Sequence, residues 1–236
     1  MTLRVFFSWF TLKPSIMDLR FSSLLLAVCL FLGSSALTPE ECEPLIKPKQ
    51  ITGASEFHGR MHTIMGYTDH KVLKAILKIM QNSWMDLTQG PAGPNYLAMI
   101  QRNRMNGTCI SSKANVSISI EGNVAHMEMG NMTTKSHSLP ACEGCMVSSI
   151  NYTFTDLQGT LQKMRMGSFV EEDILEITQA RAIYLMSNKP TVEESCTEQF
   201  KKQAGCLGFT GEPDFHYNSE HELCAENEGD EVEWQK

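Results

Sequence analysis

The chain has 236 residues, of which 42% are hydrophobic and 20% are charged, and its formal net charge is −7 at pH 7. This length allows one domain with a sizeable core, and no internal repeat divides it. Because acidic residues are in excess and no basic patch is present, nucleic acid and anionic membranes are excluded as expected partners.

The beginning of the chain has the pattern of a secretory signal peptide. Residues 24–32 form an unbroken apolar run, LLLAVCLFL, which Arg20 precedes and four small residues follow. This run is too short to span a bilayer, which needs about 20 residues. We therefore expect cleavage after Ala36, no integral membrane anchor, and a secreted protein. Met17 alone can start a conventional signal, so residues 1–16 are interpreted as an upstream extension of it.

Short apolar stretches between turn signals then predict an antiparallel all-β domain over residues 37–222. The clearest strand alternates Val116, Ile118 and Ile120 with polar residues, and Gly122 marks a hairpin turn after it. The predicted strands cover residues 57–67, 83–88, 96–101, 109–120, 123–129, 145–154 and 180–187.

Helical patterns are weaker and fewer. Asp69 is the expected N-cap of a short helix, and residues 156–165 predict a second helix, which Gly159 weakens. The strongest helix covers residues 191–206, with Thr191 as its N-cap and acidic residues in its first turn.

Strands followed by one strong helix near the C-terminus indicate an up-and-down barrel with a flanking helix. An eight-stranded barrel has room for one small ligand. The acidic segment 223–236 is expected to be a frayed C-terminal tail.

Three stretches of the chain carry a family resemblance. These are ECEPLIKP at residues 41–48, GYTDHKVLKAILKIMQNSWMDLT at 66–88, and FKKQAGCLGFTGEPDFHYNSEHELCAE at 200–226. With them, the chain resembles the lipocalins, in particular the orosomucoid (alpha-1-acid glycoprotein) group with its fish toxin- and tributyltin-binding relatives, and more distantly apolipoprotein M. The resemblance implies an all-β, eight-stranded up-and-down antiparallel barrel with a C-terminal helix packed outside it.

The resemblance also implies two disulfides, Cys42 with Cys206 and Cys109 with Cys224. Three further cysteines follow the leader, at positions 142, 145 and 196. Residues 142–145 have the C-x-x-C spacing of redox proteins but lack the βαβ context of those proteins. Pairing of Cys196 with either cysteine of this motif is the preferred interpretation, and it leaves one thiol free.

The chain departs from the lipocalin pattern at the start of its first strand. Most lipocalins have Gly-X-Trp there, and the tryptophan closes the barrel floor against an arginine. Here the matching residues are Gly59, Arg60 and Met61. Methionine is flexible enough to fill the gap, but we expect a less firmly packed floor.

Methionines and aromatic residues are the candidates for ligand contact. Thirteen methionines follow the leader, and their unbranched thioethers suit a promiscuous carrier, although core packing is the commoner role for any single one. Aromatic rings add apolar area and cation–π attraction. Within two strands, the spacing of the candidates puts pairs of them on one face. The predicted ligand-binding residues are Tyr67, Trp84, Tyr96, Met127, Met129, Tyr184 and Met186.

Four Asn-X-Ser/Thr sequons predict glycans on outward faces, and they begin at Asn106, Asn115, Asn131 and Asn151. By contrast, the seven histidines have no zinc-ligand spacing, and no Ser/His/Asp elbow, phosphate loop or H-E-x-x-H motif occurs. The sequence therefore predicts no enzyme activity, no metal and no cofactor.

The resemblance implies a secreted plasma-type carrier that binds and transports small hydrophobic or amphipathic ligands, such as xenobiotics or lipids. Two alternatives stay open. In one, the glycan-coated surface modulates immune or acute-phase responses through a cell-surface partner. In the other, the protein is a lipoprotein-associated lipid carrier that keeps its signal as an anchor.

Overall fold

The structure is a computed structural model, and it describes residues 37–163, 166–167 and 178–234. The predicted leader, residues 1–36, lies outside the described residues, as do residues 164 and 165 at the end of the predicted second helix. The unit described below begins at Thr38.

Eight antiparallel strands form the wall of a closed barrel. Consecutive strands pair with one another, and β1 also pairs with β8, so that the sheet closes on itself. This is the predicted eight-stranded up-and-down barrel. The strands are β1 (Gly59–Thr68), β2 (Met80–Gln89), β3 (Tyr96–Met105), β4 (Thr108–Glu121), β5 (Val124–Met129), β6 (Met132–Leu139), β7 (Cys145–Phe154) and β8 (Thr178–Ser187).

The strand β6 is absent from the sequence-based prediction. Its inward-facing positions include Thr134 and Ser136, which are buried although they are polar. Because the usual alternation of apolar and polar residues is therefore missing, hydrophobic periodicity does not reveal this strand. The strand β3 is also longer than predicted and ends at a two-residue turn, where Asn106 and Gly107 both have positive φ, as a type I′ hairpin requires.

The helices within the described residues are α1 (Pro39–Ile46), α2 (Lys71–Ile79), α3 (Leu157–Lys163) and α4 (Glu194–Cys206). The helix α4 packs on the outside of the barrel, as predicted. Its Phe200 is fully buried and lies 5.9 Å from the ring of Tyr67. None of the described helices combines the length and the apolar character needed to cross a membrane.

Two helix starts differ from the prediction. The helix α2 begins after His70 instead of Asp69, because the Asp69 carboxylate accepts hydrogen bonds from the backbone N–H and the guanidinium of Arg181, each at 2.8 Å. The helix α4 begins at Glu194, with Glu193 at its N-cap in place of Thr191, and this N-cap makes no side-chain hydrogen bond to the helix.

The C-terminal segment, residues 222–234, lies against the barrel, so the expectation of a frayed tail is wrong for this segment. Trp84 Nε1 donates to the Cys224 carbonyl at 2.9 Å, and Arg104 Nε donates to the Glu222 carbonyl at 2.8 Å. The strand β10 (Asp230–Trp234) then pairs in parallel with β4, and the short strand β9 (Phe215–His216) pairs with β1. Both additional strands lie outside the closed eight-stranded ring.

Three disulfides link the chain ends and the helix α4 to the rest of the fold. Two of them are the pairs that the resemblance implied, Cys42–Cys206 and Cys109–Cys224. The third joins Cys142 to Cys196 and leaves Cys145 as the free thiol among the described residues.

One end of the barrel is closed by a hydrophobic cluster. Phe57, in a short 3-10 turn before β1, is buried against Leu87, Met99 and Val116. Met61, at the position of the missing tryptophan, is only half-buried. Aromatic packing at the floor is thus supplied by Phe57, which lies outside the Gly-X-Trp motif.

Candidate functional site

The barrel encloses a cavity of about 290 Å³. All eight strands of the barrel contribute side chains to its lining. Phe57 and Leu87 lie at its closed end, in the floor cluster. A volume of this size is near the lower end of the range for small-molecule pockets.

Methionine is the commonest residue type in the cavity lining. These thioether side chains are flexible and polarisable, so that they can adapt to ligands of different shape. The lining methionines are Met80, Met85, Met99, Met105, Met127, Met129, Met132, Met146, Met166 and Met186.

The polar side chains of the lining are all neutral. Among the described lining residues there is no Asp, Glu, Lys, Arg or His. A charged group moved into such a site loses its hydration without gaining a partner of opposite charge, which is strongly unfavourable. The polar lining residues are Thr63, Ser83, Gln101, Asn103, Thr134, Ser136, Ser148, Tyr152, Thr160 and Tyr184.

Two tyrosines on neighbouring strands meet inside the cavity. The side chains of Tyr152 and Tyr184 are close enough for each to affect the ionisation of the other. Burial raises the pKa of Tyr184 to about 12, although the proximity of Tyr152 opposes the shift. Burial and the proximity of Tyr184 raise the pKa of Tyr152 well above its usual value. Both phenols are therefore neutral at physiological pH.

A glycine in β1, which pairs with β8 on the side away from β7, makes room for the Tyr184 ring. Gly66 in β1 is directly paired with Tyr184 in β8. A Cβ atom on Gly66 would lie 2.7 Å from Cδ1 of Tyr184, which is closer than carbon atoms approach without repulsion. The position of the tyrosine ring thus depends on the missing side chain at residue 66.

Two short helices cover the other end of the barrel. The helix α2 contributes Leu73, Ile76 and Leu77 to the lining, and α3 contributes Leu157 and Leu161. Except for Leu77, these side chains belong to a separate hydrophobic cluster, at the opposite end from the floor. The exposed face of α2 carries lysines, so this helix is amphipathic and its apolar face meets the cavity.

Of the predicted ligand-binding residues, four line the cavity: Met127, Met129, Tyr184 and Met186. Tyr67, Trp84 and Tyr96 do not. The position of Tyr67 follows from a register shift in β1 between Thr63 and Met65, because one extra residue turns every following side chain to the opposite face. Tyr67 thus packs under α4, against Phe200 and Phe209.

Trp84 and Tyr96 lie on the other face of their strands. Met85 and Leu97 have the inward positions of β2 and β3, so their neighbours in sequence face outward. Trp84 is nonetheless almost fully buried, because Arg60 and Arg102 lie over its ring at 4.3 and 5.0 Å and the C-terminal segment covers it. Tyr96 is half-buried.

The sequence predicted both helices α2 and α3, but it did not assign their side chains or Tyr152 to the cavity lining. The signal for Tyr152 was present, since it has the same strand parity as Ile150 and Phe154, which also line the cavity. For the lining residues of α2 and α3 the sequence contains no signal that they face the cavity, because a short amphipathic helix between strands can cover any apolar surface.

The sequon asparagines lie on the outer parts of the barrel. Asn106, Asn115 and Asn151 are exposed, and Asn131 is half-buried in the turn between β5 and β6. Asn115 and the buried Val116 lie on opposite faces of β4.

The residues described here hold one close group of metal-ligating types, formed by Cys109, Cys224 and Glu228. The two sulfur atoms are joined in a disulfide, so they are not available as thiolate ligands.

No protein-family model matches this chain, and no curated protein matches its sequence. Solved structures match the fold. The siderocalin Ex-FABP, which is described as functioning through dual ligand specificities, aligns with a TM-score of 0.50 at 13% identity, over 70% of this chain and 96% of its own. Lipocalin 12 from rat epididymis aligns with a TM-score of 0.50 at 7% identity, over 73% of this chain and 91% of its own. The barrel therefore has the lipocalin fold.

Proposed function

We propose that this protein is a carrier that binds small hydrophobic or amphipathic molecules inside its barrel. The observation behind the proposal is the cavity of about 290 Å³, whose lining is dominated by methionine and other apolar side chains. Transfer of apolar surface from water into such a site contributes about 25 cal/mol per Å². The siderocalin with the same fold is described as having ligand specificities of its own, which supports a binding role.

Binding of the neutral fluorescent probe N-phenyl-1-naphthylamine tests this proposal. We expect saturable enhancement of its fluorescence. A variant that fills the cavity, Met146→Trp, is expected to abolish the enhancement, because the Met146 side chain is part of the lining. Ser119→Trp adds the same ring at an exposed position of β4 and is expected to bind the probe as the wild type does. Equal binding by both variants would place the probe elsewhere and contradict the proposal.

We also infer that the carrier is secreted and glycosylated. Three disulfides are typical of oxidising compartments, and three of the four sequon asparagines are exposed. N-terminal sequencing of the protein from culture medium tests the first inference, and the loss of mass on treatment with peptide N-glycosidase F tests the second. A chain that begins near Leu37 would also exclude a lipoprotein-associated carrier anchored by its signal.

The physiological role is a finer proposal, which depends on the sequence motifs alone. Orosomucoid-like motifs favour sequestration of xenobiotics or modulation of acute-phase and immune responses. A ligand that copurifies with the protein from body fluid, identified by native mass spectrometry, would favour sequestration.

A further inference from the structure

Two groups of polar side chains in the cavity lie on walls that face each other. In the ring of eight strands, β3 and β7 are four places apart and therefore lie on opposite sides. The first patch, on β2 and β3, consists of Ser83, Gln101 and Asn103, and we call it the amide patch. The second, on β7 and β8, consists of Ser148, Tyr152 and Tyr184, and we call it the phenol patch.

The amide patch has free hydrogen-bonding capacity toward the cavity. Gln101 Nε2 donates to Asn103 Oδ1 at 3.3 Å. The Asn103 side chain is 3% exposed, and within the described residues its Nδ2 atom has no acceptor. A buried amide group that keeps unused donors is costly unless a ligand or a water satisfies them.

Ser112 adds an unpartnered hydroxyl beside this patch. It is paired directly with Gln101 across β3 and β4, and it has the same strand parity as Val116, which lines the cavity. Its side chain is 1% exposed, and its Oγ atom has no hydrogen-bond partner. This wall thus combines an apolar surround with hydrogen-bonding groups that the fold does not satisfy.

The phenol patch also has hydrogen-bonding groups that the fold does not fully use. Each tyrosine hydroxyl can donate one hydrogen bond and accept others. Even where the neighbouring Tyr152 and Tyr184 hydroxyls interact with each other, acceptor positions and at least one donor stay available to a ligand. The methionines of β5 and β6, which include Met127, Met129 and Met132, lie between the two patches along the ring of strands, together with Thr134 and Ser136 of β6.

We propose that the cavity selects uncharged, elongated molecules that carry a hydrogen-bonding group at each end of an apolar body. This inference rests on the proposed carrier function. The apolar body lies among the methionines, one polar end meets the amide patch, and the other meets the phenol patch. Ligands with a carboxylate or an ammonium group are rejected, because no described lining residue compensates a charge.

A matched series of ten-carbon competitors tests the inference by displacement of N-phenyl-1-naphthylamine at pH 7.5. The competitors are 1,10-decanediol, 1-decanol and decanoate. We expect decanoate to compete at least tenfold more weakly than 1-decanol, because its charge is desolvated without a partner. Equal competition by decanoate and 1-decanol would overturn the charge selection.

Variants of the two patches test the need for two polar ends. Tyr184→Phe removes a hydroxyl from the phenol patch, and Gln101→Met removes the amide from the other patch at similar volume. Each variant is expected to lower the affinity for 1,10-decanediol by roughly three- to tenfold, the range for one lost hydrogen bond. Since 1-decanol can bind in either direction, its affinity is expected to fall only about twofold with either variant.

Tyr96→Phe provides the matched control, because it removes a phenol hydroxyl outside the cavity lining, and it is expected to leave all three affinities unchanged. If the probe binds but the diol is as insensitive to both patch variants as to the control, the inference fails and the carrier function stands. If the probe does not bind the wild type at all, the carrier function itself fails.

Discussion

At the scale of single residues, Gly66 determines where the Tyr184 ring lies. We predict that Gly66→Ala lowers the free energy of unfolding by about 1 kcal/mol, because overpacking costs about 1–3 kcal/mol and the reduced freedom of the unfolded chain returns about 0.4–1 kcal/mol. The new Cβ would lie 2.7 Å from the ring, so the ring must move into the cavity and ligand affinity falls as well. Urea unfolding and probe titration measure the two effects.

Gly53→Ala is the matched control for this substitution. Gly53 has extended backbone, with φ of 177°, and the nearest atom to an added Cβ is 3.8 Å away. We expect this variant to be as stable as the wild type or slightly more stable, with unchanged probe affinity. The same loss of affinity in both variants would show that Gly66 has no special relation to the cavity.

The two cavity tyrosines predict that the free energy of unfolding decreases at alkaline pH. The folded state holds the pKa of Tyr184 at about 12, against 10.0 for the free side chain. The folded state therefore keeps protons that the unfolded state releases, so the contribution to stability is complete below pH 10 and is lost as the pH rises toward 12. Tyr152, whose pKa is raised too, acts in the same direction.

Absorbance titration of the phenolate measures this effect directly. We expect a late component in the wild type, and we expect Tyr184→Phe to remove part of it and to reduce the decline of stability between pH 10 and 12. Tyr217→Phe, which alters a tyrosine outside the cavity lining, is the control. A late component that persists unchanged in Tyr184→Phe would contradict the assignment.

At the scale of elements, the helix α2 covers one end of the cavity. Leu73 and Ile76 line the cavity from this helix. We predict that the double variant Leu73→Ala, Ile76→Ala, called the lid variant below, raises the dissociation rate of the probe about tenfold. The reason is that two apolar contacts between the helix α2 and the probe are lost. Stopped-flow displacement measures this rate. Changes in affinity within one site usually appear in dissociation and not in association.

Lys78→Ala serves as the control for the lid variant, because Lys78 is exposed on the same helix and alanine keeps the helix propensity high. It is expected to leave the dissociation rate unchanged. A lid variant that releases the probe no faster than this control would show that ligands leave the barrel by another route.

Individual strands also show how much of the fold and the site could be predicted from the sequence. Strand β4 was predictable because Val116 and Ile118 alternate with polar residues, whereas polar inward positions such as Thr134 concealed β6. Parity in the regular strand β8 predicted that Tyr184 and Met186 share one face, and both line the cavity. The outward direction of Tyr67 could not be predicted, because the register shift in β1 depends on pairing with β8, a strand more than 100 residues away.

At the scale of the whole molecule, the long-range links decide which surfaces are covered. The C-terminal segment could be assigned as an acidic tail from composition, but its attachment required Asn82, Trp84, Arg102 and Arg104 to face outward together on β2 and β3. Such a row of outward donors is visible only once the register of the two strands is known. The chain thus uses an outer surface of its barrel to hold its own C-terminus.

The disulfide Cys109–Cys224 connects this C-terminal segment to the barrel wall. We predict that its removal lowers stability and loosens the segment without affecting probe binding. It closes a loop of 115 residues in sequence, so Cys109→Ser with Cys224→Ser is expected to lower the free energy of unfolding by roughly 4–5 kcal/mol. The segment 222–234 should then become sensitive to proteolysis, while the native barrel still binds the probe because the disulfide lies outside the cavity lining. Urea unfolding and limited proteolysis measure these effects. Cys145→Ser, which removes the free thiol, is the control and should change neither. If the double variant loses probe binding while it remains folded, the C-terminal segment must support the cavity as well as the outer wall.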